Sequence, residues 1–275
     1  MRSGPPGRSH LACILVCLLS FWGRGCSSGP SYSLGPSTGN EVSVFLCESP
    51  LCDGTHYSAW GFFDRSTSSE VRAIPPCRVQ TSQNPLYANV GDVVLTAPRQ
   101  SIPLPNGMSQ FGRVYLLWDA TGAPWNPGDL VGVTASGGDI PAFNGSVPFP
   151  GYVRLRTSLP MNGAQLDLRY DVPLALQWDS LSLGDVWVHF QVQCSGRADW
   201  QRWVECLFPG SSGSGTVPSD ALSYVNEMSS CSASRLLITL RIGSFASTTI
   251  AAGRDTIRFR VSGLAFAASQ ELAPR

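Results

Sequence analysis

Val172-Pro173-Leu174-Ala175-Leu176-Gln177-Trp178, the turn-like segment Asp179 to Asp185, and then Val186-Trp187-Val188-His189-Phe190-Gln191-Val192-Gln193-Cys194 form the stretch that decides the fold. In the first arm Val172, Leu174, Leu176 and Trp178 alternate with small or polar neighbours. In the second, Val186, Val188, Phe190, Val192 and Cys194 do the same. Successive side chains of a strand point to opposite faces, so this period of two predicts two strands, each with one buried face. Joined by Asp179 to Asp185, they read as a hairpin. Two further alternating arms, Leu236, Ile238, Leu240, Ile242 and Ile257, Phe259, Val261, flank a loop from Gly243 to Asp255. The four strands together predict an immunoglobulin-like sandwich.

The first half follows the same grammar. Gly91-Asp92 leads into Val93-Val94-Leu95, Gly128-Asp129 leads into Leu130-Val131-Gly132-Val133, and Val114 to Trp118 reads as a strand. Gly-Asp ahead of an apolar run is a turn feeding a strand. The 28 glycines and 21 prolines recur often enough to leave no room for long helices, so the expectation is an all-β chain. A short helix is predicted at Ser219 to Met228, capped by Ser219, with Ala221, Leu222 and Val225 on one face. The expected organisation is one or two immunoglobulin-like β-sandwich domains, at 41–157 and 158–269, behind a Ser/Gly/Pro tether at 27–40.

Residues 1–26 read as an export signal. Arg2, Arg8 and His10 precede an apolar run from Leu11 to Trp22. A spanning helix needs about 20 apolar residues, so this run predicts cleavage rather than permanent anchoring. Gly25-Cys26 at its end resembles the lipobox of bacterial lipoproteins, which implies a lipid-anchored Cys26 and a membrane partner. Gly23 and Arg24 depart from that pattern, and ordinary secretory cleavage nearby is the alternative. Either way the expected location is extracytoplasmic: a bacterial cell envelope, or secreted.

Six cysteines remain beyond the signal: Cys47, Cys52 and Cys77, then Cys194, Cys206 and Cys231. In an oxidising compartment six cysteines predict three disulfides. Each group of three is odd, so complete pairing requires at least one bond between the halves. The rival reading is a zinc set of Cys47, Cys52, His56 and Cys77. It lacks the C-x-x-C knuckle of a pre-organised tetrahedral site, and no metal is expected.

Two segments resemble a known group. Trp125-Asn126-Pro127-Gly128-Asp129 with Ala135-Ser136-Gly137-Gly138-Asp139-Ile140-Pro141-Ala142-Phe143, and Cys206-Leu207-Phe208-Pro209 with Gly213 to Leu222, look like segments of uncharacterised secreted lipoproteins of myxobacterial type. The resemblance implies a fold and an address, and it transfers no functional residue.

Composition excludes several chemistries. All nineteen basic residues are Arg, so a Walker-type phosphate loop and a pyridoxal Schiff base are ruled out, and no cofactor is expected. Basic and acidic residues are scattered, which argues against nucleic acid as a partner. His56 reads as a solvated turn residue. By alternation His189 lies opposite Val188 and Phe190, beside Trp187, Gln191 and Gln193, on a face expected to be open to solvent. No G-x-S-x-G elbow is present, and no catalytic residue is assigned. Trp125, Trp200 and Trp203 lie outside the main strands and are the candidate surface-binding residues, suited to a glycan or protein ligand. The expectation is a non-enzymatic binding or structural module. Its rival is a glycosidase-like hydrolase with carboxylates converging from different strands.

Overall fold

The computed structural model describes residues 40–47, 56–63, 71–81, 87–109, 112–162, 165–194, 201–227 and 236–272. Their strands are β1 (Asn40–Cys47), β2 (His56–Phe63), β3 (Val71–Ile74), β4 (Cys77–Thr81), β5 (Val93–Ala97), β6 (Gln100–Leu104), β7 (Asn106–Ser109), β8 (Gly112–Thr121) and β9 (Leu130–Ala135). Then come β10 (Phe143–Pro148), β11 (Met161–Asn162), β12 (Gln165–Leu166), β13 (Leu174–Gln177), β14 (Asp185–Cys194), β15 (Gln201–Pro209), β16 (Ser214–Val217), helix α1 (Ser219–Glu227), β17 (Leu236–Ala252) and β18 (Asp255–Leu272). The fold is all-β and sandwich-like. No helix among the described residues is long and apolar enough to cross a membrane.

Ten strands form one sheet in the order β3-β4-β15-β14-β17-β18-β1-β2-β8-β7. Its apolar face covers two separate cores. The first holds Val42, Val44 and Leu46 of β1, Phe63 of β2, Tyr115 of β8 and Ile257, Phe259 and Val261 of β18. The four-stranded sheet β10-β9-β5-β6 closes it with Val93, Leu95, Val131, Val133 and Phe143. The second core is lined by Val79, Val188, Phe190, Val204, Ile238 and Leu240, and is closed by Leu176, Trp178, Val217 and α1. Ala221, Leu222 and Val225 are fully buried there, the helix face that the sequence predicts. Pro218, rather than Ser219, holds the N-cap position, because its carbonyl accepts from Leu222 N at 3.2 Å, and Ser219 is the first helical residue.

The two cores do not divide at 157/158. Cys77 and Val79, from the first half of the chain, belong to the second core, while Ile250, Ile257 and Phe259, from the second half, belong to the first. Both cores share the hairpin β17–β18. Its arms are far longer than alternation suggests, and the expected loop from Gly243 to Asp255 is mostly strand. The actual loop is Gly253-Arg254, with Gly253 at φ +64°. The long arm is hidden in the sequence because β18 carries an extra residue. Ile242 faces Phe266 and Gly243 faces Leu264, so Ala265 is unmatched. This bulge moves the core-facing positions of β18 from 257, 259 and 261 to 266 and 268, which breaks the period.

The Val172–Cys194 hairpin is also corrected. β13 and β14 are both strands, but β13 pairs with β16, while β14 lies between β15 and β17. The segment between them crosses from one layer of the second core to the other, since Leu176 and Trp178 meet Val186 and Val188 from opposite sides. Alternation reports which face is buried and says nothing of the partner strand. In the first half, Val93, Leu130 and Val114 do start or lie in strands, and Gly91 and Gly128 take the positive φ of turns. His56 opens β2 rather than sitting in a turn.

Candidate functional site

The opposite face of the ten-stranded sheet is the unusual part of the molecule. It carries Arg78 on β4, Trp203 and Glu205 on β15, Trp187, His189 and Gln191 on β14, and Thr239, Arg241 and Phe245 on β17. Further along it carries Arg258, Arg260 and Ser262 on β18, Glu41 and Ser43 on β1, and Ser58, Trp60 and Phe62 on β2. Most of these side chains are buried, Glu205 to 4% and Gln191 to 2% exposure. The buried aromatic residues Trp60, Phe62, Trp187, Trp203 and Phe245 belong to neither hydrophobic core. They make a third, polar and aromatic layer.

Geometry explains the burial. Arg260 Nη2 donates to Glu205 Oε1 at 2.6 Å. Across the sheet, Glu205 faces His189, His189 faces Arg241, and Arg241 faces Ala267, which is seven residues along β18 from Arg260. In a flat sheet the two Cα atoms would lie about 23 Å apart along the strands and about 14 Å across them, roughly 27 Å in all. The two side chains and the hydrogen bond together span only about 15 Å. The sheet is therefore coiled onto its polar face, so that β4, β15 and β14 confront β18 and β1. Inter-strand twist and the Ala265 bulge both drive the coil. Gly243, on the same face, leaves no room for a side chain, since a Cβ would meet Gly263 O at 2.5 Å and Trp187 Nε1 at 2.9 Å.

Charge is distributed about Glu205. Arg78 Nε donates to Glu205 Oε2 at 2.8 Å, and Arg78 Nη2 donates to the same oxygen. Arg260 Nη1 lies 3.7 Å from Glu41 Oε1, and its guanidinium stands 4.5 Å from the centre of the Phe245 ring. Ser43 Oγ donates to Glu41 Oε1, and Arg241 Nη1 donates to Gln191 Oε1 at 3.3 Å. Burial alone would raise the Glu205 carboxyl, but Arg260 and Arg78 outweigh it and hold the group well below the usual carboxylate range. Burial likewise works against charge on Arg260, and Glu205 and Glu41 overcome it. His189 is different. Burial, reinforced by Arg241, pushes it down to about 3, so the imidazole stays neutral. Its face was correctly inferred, but that face is largely buried rather than open to solvent, with His189 itself half-buried.

The structure places the remaining expected residues as follows. Cys77 and Cys206 form a disulfide between directly opposed positions of β4 and β15, joining the two halves of the chain as complete pairing of the six cysteines would require. Cys77 is thereby withdrawn from the zinc set with Cys47, Cys52 and His56. Cys47 ends β1 and Cys194 ends β14. Cys26, Cys52, Cys231 and Trp200 lie outside the described residues. Trp125 is not a surface residue: it is 3% exposed, stands edge-on to Tyr57 at 5.5 Å and donates Nε1–H to Thr96 O at 3.1 Å. Trp203 is 4% exposed, inside the polar layer. Both indoles meet interior surface where a surface site was expected. The polar layer itself was missed. Its signal was a set of Arg, Glu and Trp residues at alternating positions on several strands, and nothing in one strand distinguishes such a face from a solvated one.

No protein-family model matches the chain, and no curated protein matches it. Among solved structures, it is similar to a DUF4785 family protein from Legionella pneumophila at 12% identity, over 69% of this chain and 53% of that one, with a TM-score of 0.17. The chain thus spans about half the length of that protein. A tetra-tandem repeat from the extending region of a large adhesion protein matches at 9% identity, over 82% of this chain and 74% of that one, with a TM-score of 0.17. At such scores neither likeness bears on fold or activity. What fold and site define together is a disulfide-linked all-β protein with a polar layer inside its main sheet.

Proposed function

We infer that this protein is an exported, lipid-tethered, non-enzymatic structural module of the cell envelope, similar in address to the secreted lipoproteins its turn segments resemble. The observation that carries the reading is the engagement of Glu205 with Arg78 and Arg260 inside the sheet. Side chains suited to chemistry or to stacking on sugars are used here to hold the molecule together. The Cys77–Cys206 bond supports an oxidising compartment.

The hydrolase reading has one observation in its favour, the convergence of Glu41 and Glu205 on Arg260 from β1 and β15. A glycosidase needs a cleft between its carboxyls and a proton donor whose pKa is raised. Here a guanidinium fills the space between them, and Glu205 is shifted in the acidic direction. The geometry weighs for structure over catalysis.

The test is expression of the full chain in a bacterium, with detergent-phase partition and intact mass. The expected protein partitions with membranes and carries an acyl modification, and Cys26→Ser releases it. A soluble, unacylated wild type removes the tether. Glycosidase activity lost in a folded Glu205→Gln variant would move the assignment to the hydrolase.

A further inference from the structure

The first and last described strands are neighbours in the middle of the main sheet. β1 pairs with β18 in parallel, from Asn40↔Ile257 to Cys47↔Leu264. On its other side β1 pairs with β2 along its whole length, and β18 pairs with β17 from Ala252↔Asp255 to Leu236↔Leu272. Neither strand lies at an edge of the sheet.

This arrangement fixes how the fold meets tension. A pull on the chain ahead of Asn40 draws β1 backward along its axis, and a pull beyond Leu272 draws β18 forward along its own. Because the strands are parallel, the two pulls oppose each other along the strand direction. The evenly spaced bonds between them are loaded together, in shear, rather than one after another. Sliding the strands also displaces Val42, Val44, Leu46, Ile257, Phe259 and Val261, all fully buried, from the first core. The polar face adds a second tie. Arg260 on β18 approaches Glu41 on β1 and is bonded to Glu205 on β15, so movement of β18 strains contacts in both halves of the coiled sheet.

We propose that the β1–β18 pair is a mechanical clamp and that this protein bears load transmitted through the two ends of its chain. The proposal deepens the structural reading above, and it holds whatever secures the N-terminal segment. The partner it requires is a chain or surface that transmits tension along the molecule.

The register supplies its own control. Asn40 faces Ile257, beside the Gly253-Arg254 turn, so a handle on an Arg254→Cys variant and a handle ahead of Asn40 pull from the same end of the strand pair. That geometry peels the pair open one bond at a time. In single-molecule force measurements at one loading rate, the full chain pulled through its two ends should unfold at a several-fold higher force than the same chain pulled through the N-terminal and Arg254→Cys handles. Only traces whose contour-length release reports a folded start are counted. A ratio below about twofold overturns the clamp. Such a result leaves the envelope assignment to the partition and activity experiment, so the two failures are distinguishable.

Discussion

Arg260 on β18 and Glu205 on β15 are hydrogen-bonded at 2.6 Å although two strands separate them in the sheet and their registers differ by seven residues. The contact exists only because the sheet coils, so the pair measures the coil. Removing Arg260 leaves buried Glu205 with Arg78 alone, and removing Glu205 leaves buried Arg260 with only Glu41 at 3.7 Å, so each loss costs up to about 3–5 kcal/mol. Glu205→Ala and Arg260→Met should each lower the urea midpoint accordingly. The double variant should lose less than the sum of the two, and strict additivity would show that the pair is not formed in solution.

The same groups set the acid response. His189 binds a proton in the unfolded chain near its ordinary value of 6.5, but in the fold only at about 3. Between those values the unfolded state holds more protons, so stability falls as pH is lowered, with a slope of about 1.4 kcal/mol per pH unit. Glu205 shifts in the same direction. Its contribution is present above its unfolded value and is lost as pH falls through the lower, folded one. Urea titrations at a series of pH values should therefore show weakening that begins near pH 6.5. In His189→Gln the onset should move down to the carboxylate range, and an unchanged onset would contradict a His189 held neutral in the fold.

Cys77 and Cys206 close a loop across a sequence separation of 129. A cross-link over so long a span removes much entropy from the unfolded chain, and removing a native disulfide costs about 2–5 kcal/mol. Cys77→Ala with Cys206→Ala should lower the unfolding free energy by that amount, read as a lower urea midpoint. Mass mapping of the oxidised wild type should recover a peptide pair joining residues 77 and 206, and its absence would refute the pairing.

Trp125 offers a direct contrast between interior and surface roles. Truncation of a buried tryptophan costs about 3–5 kcal/mol, whereas a surface substitution usually changes stability by under about 0.5 kcal/mol. Trp125→Ala should behave as the former. A near-neutral result would restore it as a candidate ligand-stacking residue.

Much of the fold was legible, and the misses share one cause. Val188, Phe190, Ile238 and Phe259 were readable as buried because alternation is a local property of a strand. That β13 pairs with β16, and that Ala265 interrupts β18, depends on segments distant in sequence or on a single inserted residue. The candidate site was least legible. Trp187, His189 and Gln191 look like the solvated side of a strand, and only the opposing face of β18 and β1 makes them internal.

From its residues alone the chain determined an all-β architecture, a short helix at Ser219, and the need for a cysteine bond between its halves, because strand alternation, helix-face spacing and parity are written locally. The tertiary structure decided strand order, the sharing of β17 and β18 by two cores, and the conversion of a polar face into an interior. Those outcomes arise from twist accumulated over ten strands and sharpened by bulges such as that at Ala265, which no single segment encodes.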